Sequence, residues 1–123
     1  MHLVVAVLKP SHLEAVRQAL AAVHVTRLTI CDAQGYGAVF PPGRDADYDV
    51  GRAGVVQQSV MEIAVNDDFL ERTIDTIRKA MRMGNSARSG GADDLPSLDE
   101  HLFVLPIHES VQIYREVRGP EAV

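Results

Sequence analysis

A single cysteine, Cys31, leaves this chain without an internal disulfide, which fits a reducing compartment. Positive charge is also scarce: 12 lysines and arginines stand against 17 aspartates and glutamates, a net charge of −5. Non-specific binding to nucleic acid or to an anionic membrane needs a basic face, so the balance argues against both. Long hydrophobic runs are missing too. The opening His2–Leu8 run is cut off by Lys9-Pro10, too soon for a signal peptide, and no stretch approaches the roughly 20 apolar residues of a membrane span. A cytoplasmic location is the expectation.

Catalytic groupings are missing as well. His2, His12, His24, His101 and His108 are scattered, with none of the short spacings that place two ligands on one metal, so surface or edge positions are expected for them. Cys31 lies in a strand-like run without a basic neighbour and reads as a small buried hydrophobe. No acid–base or nucleophile–base pair stands out, and the chain is not expected to be an enzyme.

What the 123 residues do contain is one domain's worth of alternating strand and helix patterns. His2–Leu8 is a nearly continuous apolar run that reads as a buried strand. Ser11 and Glu14 have the spacing of a capping box, opening a helix over about Ser11–Val23 with Leu13, Val16, Leu20 and Val23 inward. Arg27–Ala33 and Gln57–Val65 read as the second and third strands. Asn66-Asp67-Asp68 caps a second helix with Leu70, Ile74, Ile77 and Met81 inward, and Gly84 is placed to stop it. Leu102–Ile107 is the fourth strand, and the tail 108–123 keeps Val111, Ile113 and Val117 for an edge segment. The doubled strand–helix–strand order predicts an α+β fold, a ferredoxin-like βαββαβ sandwich with both helices on one face.

Two stretches resist regular structure. From Gly35-Tyr36-Gly37 to about Val56, prolines, glycines and aspartates break any periodicity. A connection of about 20 residues inside a small domain is normally functional or disordered, and the clean resumption of pattern beyond it marks a working loop. Asn85–Glu100 is polar and glycine-rich; Ser89-Gly90-Gly91 is able to present backbone N–H groups to an anion with Arg88 beside it, or to serve as a linker. Glu62 is the unusual strand residue. A carboxylate among Val60, Met61, Ile63, Ala64 and Val65 is either paired with Arg27 or a neighbour, or engaged with a ligand.

Assembled in this way, the chain resembles the PII signal-transduction superfamily, as a divergent PII-like member. The likeness rests on Leu3-Val4-Val5-Ala6-Val7-Leu8-Lys9-Pro10, Leu28-Thr29-Ile30, Gly35-Tyr36-Gly37, Glu62-Ile63-Ala64-Val65, Phe103-Val104-Leu105-Pro106 and the ending Gly119-Pro120-Glu121-Ala122-Val123. The resemblance implies a PII-type homotrimer with a long T-loop at about 37–56 and an adenine nucleotide in each cleft between subunits. It implies a nucleotide site at Val7, Thr29, Glu62, Ile63 and Ala64, with Gly35, Tyr36, Gly37 and Ala38 at the loop base; Arg88, Gly90 and Gly91 are added to the expected nucleotide site on their own anion-binding chemistry. Arg44, Tyr48 and Arg52 fall on the partner-binding loop.

Departures from the family pattern narrow the expectation. Ala38 and Val39 stand where the family has an arginine and a glutamine, Gln58 where it has a lysine, and Gly51 where enteric members have a modified tyrosine. In the rewritten phosphate-binding B-loop, Asn85–Glu100 replaces a short turn, and Gln112 and Tyr114 replace two phosphate-binding arginines. Each missing cation weakens polyphosphate binding by roughly 1.5–3 kcal/mol, unless Arg88, Arg115 or Arg118 substitutes. The expected ligand is AMP or ADP more than ATP, with bicarbonate a further candidate and 2-oxoglutarate sensing doubtful. The expected partner is a protein or membrane transporter met by the T-loop. The alternatives are an ATP- and 2-oxoglutarate-sensing nitrogen regulator, a bicarbonate-linked or metal-efflux-linked relative, or a ligand-free trimeric scaffold.

Overall fold

Pleating sends alternate residues of the first strand, β1 (His2–Leu8), to opposite faces: Val4, Ala6 and Leu8 are buried, Leu3, Val5 and Val7 only half-buried. The structure, a computed structural model, describes residues 1–36, 55–86 and 100–123, with the side chains of 36, 55–56 and 84–86 excepted. After β1 come a 3-10 turn (Pro10–His12), α1 (Leu13–Ala22), β2 (Thr29–Tyr36), β3 (Val55–Val65), α2 (Asp67–Ser86) and β4 (His101–Pro106). The strands form one antiparallel sheet in the order β2-β3-β1-β4. This is the ferredoxin-like arrangement that the pattern predicts. A two-stranded ribbon, β5 (Val111–Gln112) with β6 (Val117–Arg118), and a 3-10 turn at Gly119–Ala122 complete the chain.

Both helices pack against each other over one face of the sheet. Val4 and Ala6 meet Met61 and Ile63 of β3, Val16 and Leu20 of α1 and Ile77 of α2 there, all at 1% exposure or less. Apart from Ala6, each such side chain is worth about 1.5–3 kcal/mol relative to exposure. Thr73 joins them by donating its hydroxyl to the Phe69 carbonyl at 2.8 Å, so its polar atom is satisfied within the helix.

α1 ends in a Schellman motif. The Val25 N–H donates to the Leu20 carbonyl at 2.9 Å and the His24 N–H to the Ala21 carbonyl at 3.1 Å, with His24 at φ 66°. Val25 and Leu20 are both buried, the hydrophobic contact that accompanies such a cap. A histidine occupies the left-handed position that glycine adopts at no steric cost.

Several expectations change. Ser11 does not cap α1: Pro10 starts a 3-10 turn around it, and Glu14 instead accepts from Arg17 and Gln18. Those contacts, Arg17 first, lower the Glu14 carboxyl to about 2. The Asn66 side chain donates to the Pro120 carbonyl at 3.1 Å instead of capping α2, whose first-turn charges are Asp67 and Asp68. α2 continues through Gly84 to Ser86, since one glycine costs a helix only about 1 kcal/mol. The expected loop is shorter at both ends, because Gly35 pairs with Val56 and Tyr36 with Val55 and the ladder runs on. Cys31 is exposed, since its phase in β2 points away from the helices.

His12 is not a surface histidine. It is buried at the corner between β1 and α1, its Nδ1 2.6 Å from Glu100 Oε1, which also accepts the Lys9 N–H at 3.0 Å. The 3-10 turn aims the ring inward, and Glu100 supplies the acceptor that a buried N–H requires. At the opposite end of the sheet, the Met1 ammonium lies 2.7 Å from Asp67 Oδ1 and holds that carboxyl below its ordinary range, with His2 adding a smaller pull.

Two outcomes follow. His24→Gly is expected to raise stability by about 0.5–1 kcal/mol in urea denaturation, because it removes the left-handed strain without breaking either cap bond. Asp67 has a depressed folded-state pKa, so its contribution is present above the unfolded carboxylate value and is lost as pH falls through the folded one. Asp67→Asn should therefore flatten the acid end of the stability–pH curve, below about pH 4, with little change in its slope at neutral pH.

Candidate functional site

The face of the sheet turned away from the helices carries the residues of interest. Register builds it row by row, since directly opposed antiparallel residues share a face. One row runs Phe103–Val5–Glu62–Thr29 across β4, β1, β3 and β2, and the next runs His101–Val7–Val60–Cys31. A third holds Leu105, Leu3 and Ala64. Thr29 and Glu62, far apart in sequence, are thus cross-strand neighbours on exposed surface, with Val7 one row away and Ala64 two residues along β3.

Glu62 has no hydrogen-bond or ion-pair partner among the described residues, so the expected alternative of a salt bridge to Arg27 is not formed. It avoids the penalty of burial by lying on the open face. The carboxylate and the Thr29 hydroxyl together offer acceptors and one donor to whatever covers them.

Where β2 and β3 run on toward the long loop, Gly35 allows a close approach. A Cβ built on it would lie 2.7 Å from Gln58 Cδ and nearer still to Oε1, so the Gln58 amide rests against the glycine backbone. This puts a neutral amide at the base of the loop.

Of the other expected site residues, Ile63 is placed differently. It is fully buried beneath the helices, one residue out of phase with Glu62, and its side chain is closed to a ligand on the open face. Tyr36 is the last residue of β2. Gly37, Ala38, Arg44, Tyr48 and Arg52 of the expected T-loop, and Arg88, Gly90 and Gly91 of the expected insert, lie outside the described residues. In the tail, Arg118 pairs with Glu109 at 2.7 Å and Arg115 is exposed.

Sequence reasoning missed Val5, Val60, His101 and Phe103 on this face. His101 and Phe103 are tilted rings with centroids 5.8 Å apart on the β4 edge, beside Val7 and Val5. The alternation within each strand was the available signal, but only the pairing register joins the strands into rows. A separate cavity of about 220 Å³ lies at the end of β3, lined by His24, Val25, Arg27, Ala64, Val65 and Phe69 among others, with neither Thr29 nor Glu62 in its lining.

Glu62→Gln is expected to move stability by less than about 0.5 kcal/mol, because the carboxylate has no described partner to give up. A urea midpoint that falls by the equivalent of 2 kcal/mol or so would reveal a buried pairing instead.

Comparison with known proteins adds the family context. Residues 1–117 match the family model described as nitrogen regulatory protein P-II. The chain is 33% identical over 126 residues to nitrogen regulatory protein GlnK1 of Methanosarcina mazei, covering 100% of this chain and 97% of the relative. It is 32% identical over 121 residues to nitrogen regulatory protein P-II of Bradyrhizobium diazoefficiens, covering 96% of each. The crystal structure of Arabidopsis thaliana PII bound to citrate superposes with a TM-score of 0.68 at 24% identity, over 99% of this chain and 91% of that one.

Proposed function

The chain belongs to the nitrogen regulatory protein P-II family of signalling proteins, and from that premise we propose that it is a non-enzymatic regulator that assembles as a homotrimer and binds an adenine nucleotide. The observation that carries the assembly is the open face itself. β1 is apolar on both sides, and a strand of that kind is found where both faces of its sheet are covered. The helices cover one. On the other, Leu3, Val5, Val7, Val60 and Ala64 adjoin Phe103 and Leu105, which are 52% and 46% exposed. Copies of the chain closing over this face would bury it and bring a neighbour's surface against Glu62 and Thr29.

The unpaired carboxylate of Glu62 beside Thr29 supports the nucleotide reading. An adenine offers an exocyclic amine to the carboxylate and ring nitrogens to a hydroxyl, whereas an apolar subunit contact alone leaves the charge stranded. Val7 and Ala64 supply apolar surface next to the pair. AMP or ADP is preferred to ATP, because the sequence lacks cations where relatives of this family hold polyphosphate. Gln58 rather than lysine at the loop base disfavours a dicarboxylate such as 2-oxoglutarate. The segment at about 37–56 would carry the state of the site to a partner protein or transporter.

Calorimetric titration with AMP, ADP and ATP, each with and without magnesium, 2-oxoglutarate and bicarbonate, tests the ligand. The expected result is binding of AMP or ADP that 2-oxoglutarate leaves unchanged. Tight magnesium–ATP binding strengthened by 2-oxoglutarate would replace this reading with a nitrogen sensor, and no binding of any nucleotide would leave a scaffold. Sedimentation equilibrium tests the assembly, with a mass three times the 13.4 kDa chain expected and a monomer counting against it.

A further inference from the structure

We propose that the outward face of α2 is a self-complementary docking surface for α2 of a second copy of this chain, laid antiparallel across a two-fold axis level with Thr76. The surface depends neither on the nucleotide reading nor on the trimer, because the helices lie on the side of the sheet away from the open face.

α2 spans 20 residues, about 30 Å. Thr73, Ile77 and Ala80 are buried, with Leu70 and Met81 packed against the core. On the opposite side of the helix, Glu71 and Asp75 make an acidic stripe that Arg78 and Lys79 continue as a basic one, all four exposed. The helix dipole does not explain this order, since it acts within the first and last turns, and the last turn of α2 holds no cation. Nor do the charges satisfy one another within the helix. Asp75 has ion-pair spacing to Lys79, yet none of the four has a hydrogen-bond or ion-pair partner among the described residues.

Reversing direction brings the two halves together. With the axis level with Thr76, Asp75 of one copy faces Arg78 of the other, Glu71 comes within a turn of Lys79, and symmetry repeats both contacts. The same operation sets Phe69 opposite Met83. These are 37% and 73% exposed and stand close to four turns apart, hence on one flank of the stripe. A thioether against an aromatic ring is a favourable contact, so each end gains an apolar anchor beside the ion pairs. A parallel copy in register would instead set like charge against like. A strip of about 30 Å by 10 Å on each copy falls short of the roughly 1,000 Å² of a stable interface. With a net charge of −5 on each chain as well, the association is weak and depends on the local pairs.

The test is sedimentation velocity of the full chain over a concentration series at about 0.01 M and about 1 M sodium chloride, alongside Asp75→Arg, Arg78→Asp and the double variant carrying both. The expected result is association at low salt that high salt removes. Each single reversal sets like charges together at two places across the axis, and is expected to weaken the association about tenfold or more. The double variant restores opposite charges at both places and is expected to recover it, as is an equimolar mixture of the two single variants. All act on exposed side chains without a described partner, and native circular dichroism checks the fold. A wild-type chain whose association is absent at low salt, or grows with salt, overturns the proposal. So does an unchanged single variant, or a double variant as impaired as the single ones. A monomer at high salt counts against the trimer alone.

Discussion

The constraint on which this structure depends is a four-stranded sheet with helices on only one side and apolar residues on both. Burial of Val4, Ala6, Met61 and Ile63 under α1 and α2 makes the subunit fold. The same pleat sends Leu3, Val5, Val7 and Val60 to the other side, where the chain itself has no layer to place over them among the described residues. Hydrophobic burial is non-directional and roughly proportional to area, so a face of this kind draws in whatever apolar surface is complementary. The structure within the subunit and the case for association between subunits come from one alternation.

Polar groups set into that apolar face gain meaning from their isolation. Glu62 stands opposite Thr29 in the sheet, without a described counter-charge, between rows that are mostly aliphatic. When such a face closes, an unpaired carboxylate costs free energy unless a ligand or a neighbour brings donors. Assembly and ligand binding are coupled by this residue in the proposed reading. Gln58 against Gly35 extends the same surface to the start of the long loop, so the site and the segment proposed to signal share two strands, β2 and β3. Their ladder runs unbroken from Thr29–Glu62 to Tyr36–Val55.

The ends of the sheet are pinned by short polar contacts. At one corner Glu100 gathers the His12 ring and the Lys9 N–H just before β4 begins, which sets where His101 enters the open face. At the other, Met1 meets Asp67, and the Ile107 N–H donates to the Met1 carbonyl at 3.0 Å. The first contact is largely shielded from water and the second is open on the Asp67 side, at 72% exposure, so salt screens the second much more readily.

Local pattern determined a good deal about this protein. The strand, helix and strand periods, the inward stripes Val16–Leu20 and Ile77–Met81, and the ferredoxin-like order were all legible, because burial on one face imposes a period of 2 or 3.6 on the residues themselves. Thr29 and Glu62 were legible as residues that match a family pattern, and Glu62 also as a charge out of place. Tertiary structure decided the rest. Ile63 left the site for the core through a one-residue phase, Cys31 came to the surface, and His12 went inside to meet a carboxylate 88 positions away. His101 and Phe103 joined the site only when strands distant in sequence were laid in register. Periodicity states which side of its own strand a residue faces; only pairing states which strand lies beside it, because that choice is made by long-range contacts that no local window contains.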